Sequence, residues 1–399
     1  MIIGIDASRA NVSERTGTEL YAFEVIRRLV GLVPDHHIRL YVREPLRLDW
    51  GELKGEIEVC ILRWPPGVLW SHLRLSWELL WRKPDLLFVP ADTVPLIHPN
   101  VSVTTIHDLA FERFPELYRQ ASVQRRLGWL RPFIHLAVRI FTLGRYSASE
   151  RDYHRWSVRQ AIKACRRILT VSEFSKQEIT SLLDVAPERI SVTPLGVRQA
   201  EYYQSITPGE QQDVRQKHNC QKPYLLFISR LEKKKSIGQV LEAYCLYATR
   251  TEDPVDLVLI GQPGFGWEEA QQKIPNPLQK NIHVLGWQPD RVRDVLHSAA
   301  TALICISQYE GFGIPALESL SAGVPVIASR HGSLPEVLGA AAYYIDTNVI
   351  ETIVMAIERI TEYIELRKSL INLGHQQVAG FTWERTATMT AEALLSELA

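Results

Sequence analysis

Short apolar runs alternate with segments of helical periodicity along the chain, and this rhythm restricts its fold more than any other feature. The runs are nearly continuously apolar, which is typical of parallel strands covered on both faces. The first half carries Met1–Ile5, Ile38–Val42, Ile57–Leu62, Leu86–Val89, Ser102–Ile106 and Arg167–Val171. The second half carries Tyr224–Ser229, Asp256–Ile260, Ile282–Leu285, Ala302–Ile306, Pro325–Ala328 and Ala342–Ile345. The pattern predicts an α/β protein with two doubly wound, Rossmann-like parallel-sheet domains.

A segment with few aliphatic residues separates the two series of runs. Gly196–Lys222 contains a Pro-Gly pair and is the best candidate for a connection between domains. We therefore place the first domain at residues 1–196 and the second at residues 197–380.

The end of the sequence has the pattern of a helix. Thr382 is a candidate N-cap ahead of Glu384, and apolar residues follow at helical spacing. We expect a long helix over about 381–399 that could pack back on the first domain.

Composition limits the classes of function. The 399 residues include 45 Lys and Arg against 45 Asp and Glu, so attraction to nucleic acid or to an anionic surface must be local. The five cysteines form no CxxC pair and have no His at zinc-ligand spacing, which indicates buried, reduced thiols. The sequence has no secretory signal pattern and no run of 18 uncharged apolar residues, so we expect a cytoplasmic protein, soluble or peripheral on a membrane.

The most informative stretch, Ser307–Arg330, follows an apolar run and contains a glycine-rich turn. Gly311 and Gly313 come just before Pro315, which suits the first turn of a helix. Such a turn lets backbone N–H groups approach an anion, and the helix N-terminus adds a favourable dipole. Phosphate is the ligand that this arrangement favours, although an ordinary strand-to-helix turn has the same appearance.

Two acidic residues flank this turn. Glu310 precedes it and Glu318 lies about one turn into the following helix. They cannot both contact phosphate, and a carboxylate can accept two hydroxyl donors at once. We therefore expect them to bind sugar hydroxyls.

A cationic segment, Tyr224–Tyr244, precedes this stretch. It reads as a strand, a polar break with Arg230, three lysines and a helical run. Arg230 and one of Lys233, Lys234 and Lys235 could converge on a phosphate at the end of the strand. The alternative is that the three lysines form only a solvated turn.

These motifs together resemble one known family. Ser229-Arg230 with Lys235 in SRLEKKKSI, and Glu310 with Glu318 in EGFGIPALE, resemble the donor-site motifs of the retaining GT-B glycosyltransferases of family four, also called group 1. Four more blocks are similar to that family in the same order: HDLAFERFPELY (His107–Tyr118), VSEFSKQEI (Val171–Ile179), VTPLGV (Val192–Val197) and GSLPEVLGAAA (Gly332–Ala342). The resemblance covers nearly the whole chain and is strongest to bacterial mannosyltransferases of surface-polysaccharide assembly.

The resemblance implies a GT-B architecture, in which two Rossmann-like domains face each other across a cleft that holds the active site. It assigns Arg230 and Lys235 to the donor diphosphate and Glu310 to hydroxyls of the transferred sugar. His107 follows a predicted strand end, where ligands bind in open α/β sheets, and completes the expected catalytic set. The expected donor-binding residues are Gly17, Asp108, Gly311, Phe312, Gly313, Ile314 and Glu318, the last at the nucleotide ribose. Ser229 and Ser236 stand where the family often has Gly, and Gly or Asn, respectively.

The expected reaction is transfer of a hexose, with mannose preferred, from a nucleotide diphosphate sugar to a polysaccharide or lipid-diphosphate-linked acceptor. By resemblance the configuration is retained, and GDP-mannose is preferred over UDP-sugars. The chain has no Asp-x-Asp triplet of the kind that metal-dependent transferases use, so we expect no metal site and no cofactor. The alternatives are an epimerase or phosphorylase of the same fold, or a non-catalytic nucleotide-sugar-binding scaffold.

A dehydrogenase is disfavoured, since no G-x-G-x-x-G with a downstream acid follows the first strand.

One segment is strongly basic. Arg119–Arg167 contains twelve Lys and Arg against Glu150 and Asp152. Arg131, His135 and Arg139 recur at intervals of four, with Trp129 near the start of a predicted amphipathic helix. This pattern indicates docking to an anionic membrane or a lipid-diphosphate acceptor, or a core-packed helix with a solvated basic face. Nucleic acid is not an expected partner, because no recognised binding module accompanies the charge.

Tryptophans cluster before the fourth predicted strand. Trp64, Trp70, Trp77 and Trp81 occupy this stretch. They could line an acceptor groove or pack into the core.

Overall fold

The computed structural model describes residues 1–53, 55–64, 69–118 and 150–398. The chain forms two compact units. The first comprises Met1–Gly196 together with Trp383–Ala399, and the second comprises Val197–Thr382. The chain therefore leaves the first unit, builds the second, and returns to the first with its last helix.

The first unit is built on a seven-stranded sheet with the order β3-β2-β1-β4-β5-β6-β7. All of its neighbouring strands are parallel. Its strands are β1 Ile2–Asp6, β2 His37–Val42, β3 Ile57–Ile61, β4 Leu86–Val89, β5 Val101–Thr105, β6 Arg167–Thr170 and β7 Ile190–Val192.

Helices of the first unit connect these strands and cover the sheet. They are α1 Gly17–Leu32, α2 Ser76–Trp81 with a π-helical turn Ser71–Leu75 before it, α3 Ala110–Arg113, α4 Glu150–Ala164, α5 Glu173–Leu183 and α15 Trp383–Leu395. The last helix is tied to α1 by an ion pair between Glu384 and Arg28 (2.8 Å) and to the body of the unit by the Thr386 hydroxyl, which donates to the Pro194 carbonyl (2.6 Å). The C-terminal helix is thus an integral part of the first unit.

The second unit is built on a six-stranded sheet with the order β10-β9-β8-β11-β12-β13, again parallel throughout. Its strands are β8 Tyr224–Ile228, β9 Asp256–Ile260, β10 Ile282–Gly286, β11 Ala302–Cys305, β12 Val326–Ser329 and β13 Ala342–Ile345. Its helices are α6 Ala200–Gln204, α7 Pro208–Lys217, α8 Ile237–Arg250, α9 Trp267–Gln272, α10 Asp290–Ser298, α11 Ile314–Ser321, α12 Leu334–Leu338, α13 Ile350–Glu362 and α14 Ile364–Val378. Short 3₁₀ turns lie at Leu48–Trp50, Pro115–Tyr118, Pro187–Arg189, Lys233–Lys235 and Asn276–Asn281.

Burial explains why these segments form strands. β4 and β9 are buried at every position, and β8 at all but its last residue. Strands with helices on both faces need apolar side chains on both, which produces the continuous apolar runs. In the second unit these strands join Val240, Tyr244 and Ile357 in one core.

The predicted fold class is confirmed, since both units are parallel-sheet α/β structures. Every strand predicted from an apolar run is present within one residue of its predicted bounds. β7 was not predicted because its three residues, Ile-Ser-Val, are too short to form a recognisable run.

The candidate connection Gly196–Lys222 contains two helices, α6 and α7, which the sequence analysis did not predict. Tyr203 and Ile206 pack with Val295 of α10. Proline at the start of α7 and the Thr207 hydroxyl, which accepts from the Glu210 amide, begin the second helix in the usual way. A few well-placed apolar residues thus integrate a mostly polar segment into the second unit.

No helix in the described part of the chain is long and apolar enough to span a membrane.

Candidate active site

The strand order of the second sheet brings two of the predicted motifs together. β8 and β11 are neighbours, and from them the sheet extends in opposite directions, through β9 on one side and β12 on the other. In open α/β sheets, ligands bind at the carboxyl ends of strands at such a switch point. Arg230 and Lys235 follow β8, and Glu310 follows β11. The Gln308 amide donates to the Lys234 carbonyl (3.0 Å), so the two loops are in direct contact.

Lys235 and Glu310 form an ion pair at this place. The Lys235 ammonium donates to Oε1 of Glu310 (2.5 Å), and the Ser307 hydroxyl donates to the same oxygen (2.6 Å). Oε2 of Glu310 has no hydrogen-bond partner among the described residues, and an ammonium carries three donors. The pair therefore presents one free carboxylate oxygen and two free N–H donors.

The glycine-rich turn after Glu310 ends at the start of α11. Gly313 has φ of +95° and caps the helix, and Pro315 lies in its first turn, as the sequence predicts. The amides of Phe312 and Gly313 donate to no acceptor within the described part of the chain. The Phe312 ring is buried and packs edge-on against Phe381 (5.9 Å between centroids), which anchors the turn. Ile314 begins the helix.

A loop after β12 holds the backbone of Glu310 in place. The Ser333 amide and hydroxyl both donate to the Glu310 carbonyl (3.1 Å each). A Cβ at Gly332 would lie 2.5 Å from that carbonyl oxygen, and Gly332 has φ of +64°, so only glycine fits there. The Ser329 hydroxyl donates to the Ser307 carbonyl (2.7 Å) and ties β12 to the same loop.

Arg230 is more exposed than Lys235, the other cation assigned to the diphosphate. Its side chain is 61% exposed, and its nearest acid, Glu232, lies 3.6 Å from Nε, beyond hydrogen-bond distance. Its guanidinium is therefore available to an anionic ligand.

The two departures from the family pattern have structural explanations. A Cβ at Gly261 would lie 1.8 Å from the Ser229 carbonyl oxygen, so the glycine needed for this close approach is on the neighbouring strand's loop. Ser236 adopts the left-handed conformation (φ +56°) that Gly and Asn take at lower cost. Serine therefore keeps the loop conformation and adds local strain.

Glu318 is buried beside a network of charged residues. Asp294 of α10, also buried, accepts hydrogen bonds from Arg198 (2.7 Å), Tyr202 (2.8 Å) and Arg293 (3.3 Å). The Ser321 hydroxyl, one turn along α11 from Glu318, donates to the Arg198 carbonyl (2.5 Å). Burial raises the pKa of Glu318, and the positive charge of Arg293 opposes this rise.

The predicted residues of the first unit are Gly17, which begins the helix after β1, and His107 and Asp108, which follow β5. Nε2 of His107 lies 3.3 Å from the Pro90 carbonyl, and its ring packs edge-on against Tyr21 (4.8 Å). Burial lowers the pKa of His107, which favours the neutral imidazole. Asp108 accepts from the Ala110 amide (3.1 Å), and Gly17 is an exposed first residue of α1.

Some of the predicted features fall on residues that the structure does not describe. Trp129, Arg131, His135 and Arg139 belong to 119–149, so the predicted basic helix is not described. Within the described residues no group of three or more His, Cys, Asp and Glu side chains could hold a metal ion.

Sequence reasoning did not identify several residues that support the site. Ser307 orients Glu310 from three positions upstream, a spacing that could have suggested it. Arg293 and Asp294 surround Glu318, and the acid at a buried position of an amphipathic helix was the available signal. Arg198 had no such signal, because its contact with Asp294 spans 96 positions.

The comparisons with known proteins define the family. Residues 210–377 match the model described as "Glycosyl transferases group 1". The chain is also 33% identical over 328 residues to O-antigen chain mannosyltransferase B of Escherichia coli, covering 81% of this chain and 83% of that protein. The chain therefore belongs to the group 1 glycosyltransferases and is a glycosyltransferase of GT-B fold.

Solved structures agree on the fold. Sucrose-phosphate synthase from Thermosynechococcus elongatus superposes with a TM-score of 0.68 at 15% identity, covering 100% of this chain and 99% of that chain. HepE of Anabaena, solved with UDP and glucose, superposes with a TM-score of 0.68 at 16% identity, covering 99% of each chain.

The raised pKa of Glu318 predicts a pH-dependent cost of its charge. Because the folded chain holds this proton more tightly than the unfolded chain, the free energy of unfolding falls as pH rises above the pKa of the unfolded carboxyl, about 4.3. Glu318→Gln removes that charge, so the stability of the variant relative to wild type should rise with pH above that value and level off once the folded carboxyl is ionised. Denaturant unfolding at several pH values measures it.

The matched control is Glu242→Gln, on an exposed position of α8. Its difference from wild type is the baseline across the same pH range. A difference for Glu318→Gln that does not rise above this baseline would contradict the assigned cost of burial.

Proposed function

We propose that this glycosyltransferase moves a hexose, with mannose preferred, from a nucleotide diphosphate sugar to a polysaccharide or lipid-linked acceptor, with retention of configuration and without a catalytic metal. The observation that carries the proposal is the Lys235–Glu310 pair at the switch point of the second sheet. One group is a cation suited to phosphate, and the other is a carboxylate suited to sugar hydroxyls.

The cations have a defined role in this reaction. As the bond between the sugar and the diphosphate breaks, negative charge grows on the leaving phosphate oxygens. Lys235 with two unused N–H donors, the exposed Arg230 guanidinium, and the amides of Phe312 and Gly313 can stabilise that charge. Donors placed where charge develops contribute about 3–4 kcal/mol each in well-studied enzymes.

The two acidic residues, Glu310 and Glu318, are expected to bind hydroxyl groups of the donor. Glu310 is expected to accept hydroxyls of the transferred sugar through its free Oε2, while Ser307 and Lys235 hold Oε1. Glu318 is expected to bind the ribose. Its buried position makes an unpaired charge costly, and ribose hydroxyl donors would offset that cost.

The first unit supplies the remaining roles of the proposal. His107, neutral because of burial, is expected to contact the donor sugar, with Gly17 and Asp108 in neighbouring loops. We propose a same-face substitution: the acceptor oxygen bonds to the anomeric carbon as the diphosphate leaves. A leaving phosphate oxygen then takes the acceptor's proton, so that no enzyme carboxylate becomes the nucleophile.

The choice of substrates rests on relatives. The E. coli protein described above is named as an O-antigen chain mannosyltransferase, which favours mannose and hence GDP-mannose. The HepE structure with UDP and glucose keeps UDP-sugars as the second candidate. A lipid-linked acceptor would place the enzyme in the cytoplasm, peripheral on the inner face of the plasma membrane.

The choice of donor is tested by thermal unfolding with a panel of nucleotide sugars. A ligand at one hundred times its Kd stabilises the folded state by about 2.7 kcal/mol. GDP-mannose should therefore raise the unfolding temperature more than UDP-glucose, UDP-galactose or free mannose at equal concentration. A larger shift with a UDP-sugar would contradict the preference for GDP-mannose and indicate that the UDP-sugar is the donor.

The cations are tested by Arg230→Ala and Lys235→Ala. Each should lower turnover by tens to thousands of fold, at about 1.4 kcal/mol per tenfold, because charge stabilisation in the transition state is lost. The control is Lys233→Ala, an exposed lysine in the same 3₁₀ turn, which should retain near-normal kinetics. Normal kinetics in the first two variants would contradict the assignment of Arg230 and Lys235 to the donor diphosphate.

Metal independence is tested with EDTA. The proposal assigns stabilisation of the leaving phosphate to Arg230, Lys235 and backbone amides, so turnover of the purified enzyme should persist in the chelator. Complete loss of activity that Mn²⁺ or Mg²⁺ restores would show that the chemical step needs a divalent ion.

A further inference from the structure

One helix of the first unit has an apolar face that the described residues do not cover. The π-helical turn and α2 together run from Ser71 to Trp81. On one side they expose Leu73 (44%), Trp77 (63%), Leu80 (47%) and Trp81 (77%), which we call the Trp77 face. Trp77 lies four positions from both Leu73 and Trp81 and three from Leu80, so these residues lie on one side of the helix.

The opposite side of the same helix is packed normally. Leu75 and Leu79 lie in a core cluster with Trp70 and Leu87. The Trp70 indole N–H donates to the Leu62 carbonyl (2.7 Å), which holds the start of the helix against β3. The helix is therefore well anchored, and the exposure of the Trp77 face does not come from loose packing.

Such a face is unusual for a soluble surface. Single exposed apolar side chains are ordinary, but a contiguous group on one face marks an interaction site. Two exposed tryptophans strengthen the point, because Trp287, at 42%, is the only other described tryptophan among the strongly exposed apolar residues. The face needs an occupant that accepts large, flat aromatic rings.

The surrounding charges indicate which occupant. Residues 63–83 contain four cations and one acid, Glu78. Arg82 and Lys83 directly follow Trp81 and are exposed, as is Arg63. Arg82 pairs with Glu58 (2.5 Å) and Glu78 (3.7 Å), whereas Lys83 and Arg63 form no ion pair with a described acid. Leucine and tryptophan on one face with basic residues beside it are typical of helices that lie in the interface of an anionic bilayer.

A strongly basic stretch of the sequence precedes a described segment that contacts this helix. The sequence from 119 to 149 contains six arginines and no acid. The chain is described again from Glu150, and Tyr153 Oη lies 3.2 Å from Nε2 of His72, in the same helix as the Trp77 face. The Trp156 ring lies 4.9 Å from the His72 ring. The described residues that follow the cationic stretch in sequence therefore contact the helix that carries the Trp77 face.

We propose that the Trp77 face docks the enzyme on an anionic lipid surface, with Trp77 and Trp81 inserted at the headgroup level and Lys83 and Arg63 available to the lipid charges. The inference deepens the proposed function by naming the surface through which a lipid-linked acceptor is approached. An apolar face combined with a basic patch supplies two signals, which stable membrane binding requires.

The first test is flotation of the full-length protein with vesicles of phosphatidylcholine containing 30% phosphatidylglycerol. The double variant Trp77→Gln, Trp81→Gln should lower partitioning at least tenfold, which is about 1.4 kcal/mol. Trp287→Gln, the matched control in the second unit, should bind as wild type does. Equal thermal unfolding of all three proteins shows that the fold is kept.

The second test locates the rings directly. Lipids brominated in the acyl chain quench tryptophans that insert among them. Wild-type emission should be quenched, whereas Trp77→Phe, Trp81→Phe should still bind vesicles and lose most of the quenching. Unchanged quenching in this variant would place the contact elsewhere and overturn the proposal.

The remaining arms separate the alternatives. Arg131→Glu with Arg139→Glu should weaken only the salt-dependent part of binding, whereas the glutamine variant should also weaken binding at high salt. A wild-type dimer that the glutamine variant converts to a monomer, without vesicle binding, would assign the face to a second copy of the chain and overturn the proposal.

Donor turnover distinguishes a failed inference from a failed function. Turnover of GDP-mannose by a protein that ignores vesicles overturns the docking surface alone. Vesicle binding through the tryptophans, in a protein that turns over no nucleotide sugar, supports the surface and overturns the proposed function.

Discussion

All strands of each sheet run in one direction, and the placement of the chemistry depends on this constraint. Parallel strands end at the same edge, so every loop that follows a strand lies on one side of its sheet. In the second unit this brings the loops after β8, β11 and β12 together, although β8 ends at Ile228 and β12 ends at Ser329. Lys235, Glu310 and Ser333 meet for that reason.

The ion pair at this edge keeps two opposite charges close before any substrate binds. Neither charge is left uncompensated, since Glu310 accepts from Lys235 and Ser307, while Gly332 and Ser333 hold its backbone. Preorganisation of this kind lowers the cost of arranging donors at the moment of reaction. Glu318 differs, because its burial disfavours its charge and the nearby arginines only partly offset this.

The sequence predicted the strands well, and it predicted poorly the contacts that support the candidate site. Apolar runs and a Gly-x-Gly before Pro315 are local signals, so β8, β11 and the start of α11 could be read from them. Gly261 against Ser229, and Arg198 against Asp294, are contacts between distant segments, which no local pattern encodes. The helices α6 and α7 in the polar segment after Gly196 were not predicted, because few of their residues are apolar.

The position of α15 has a consequence for the order in which the units mature during synthesis. The second unit is complete once Thr382 has left the ribosome, but the first still lacks the helix whose Glu384 pairs with Arg28 and whose Thr386 binds the Pro194 carbonyl. Domains generally fold as units while the chain emerges. The part of the protein made first is therefore the part finished last, and loss of the final seventeen residues would damage the amino-terminal unit rather than the one that precedes them in the chain.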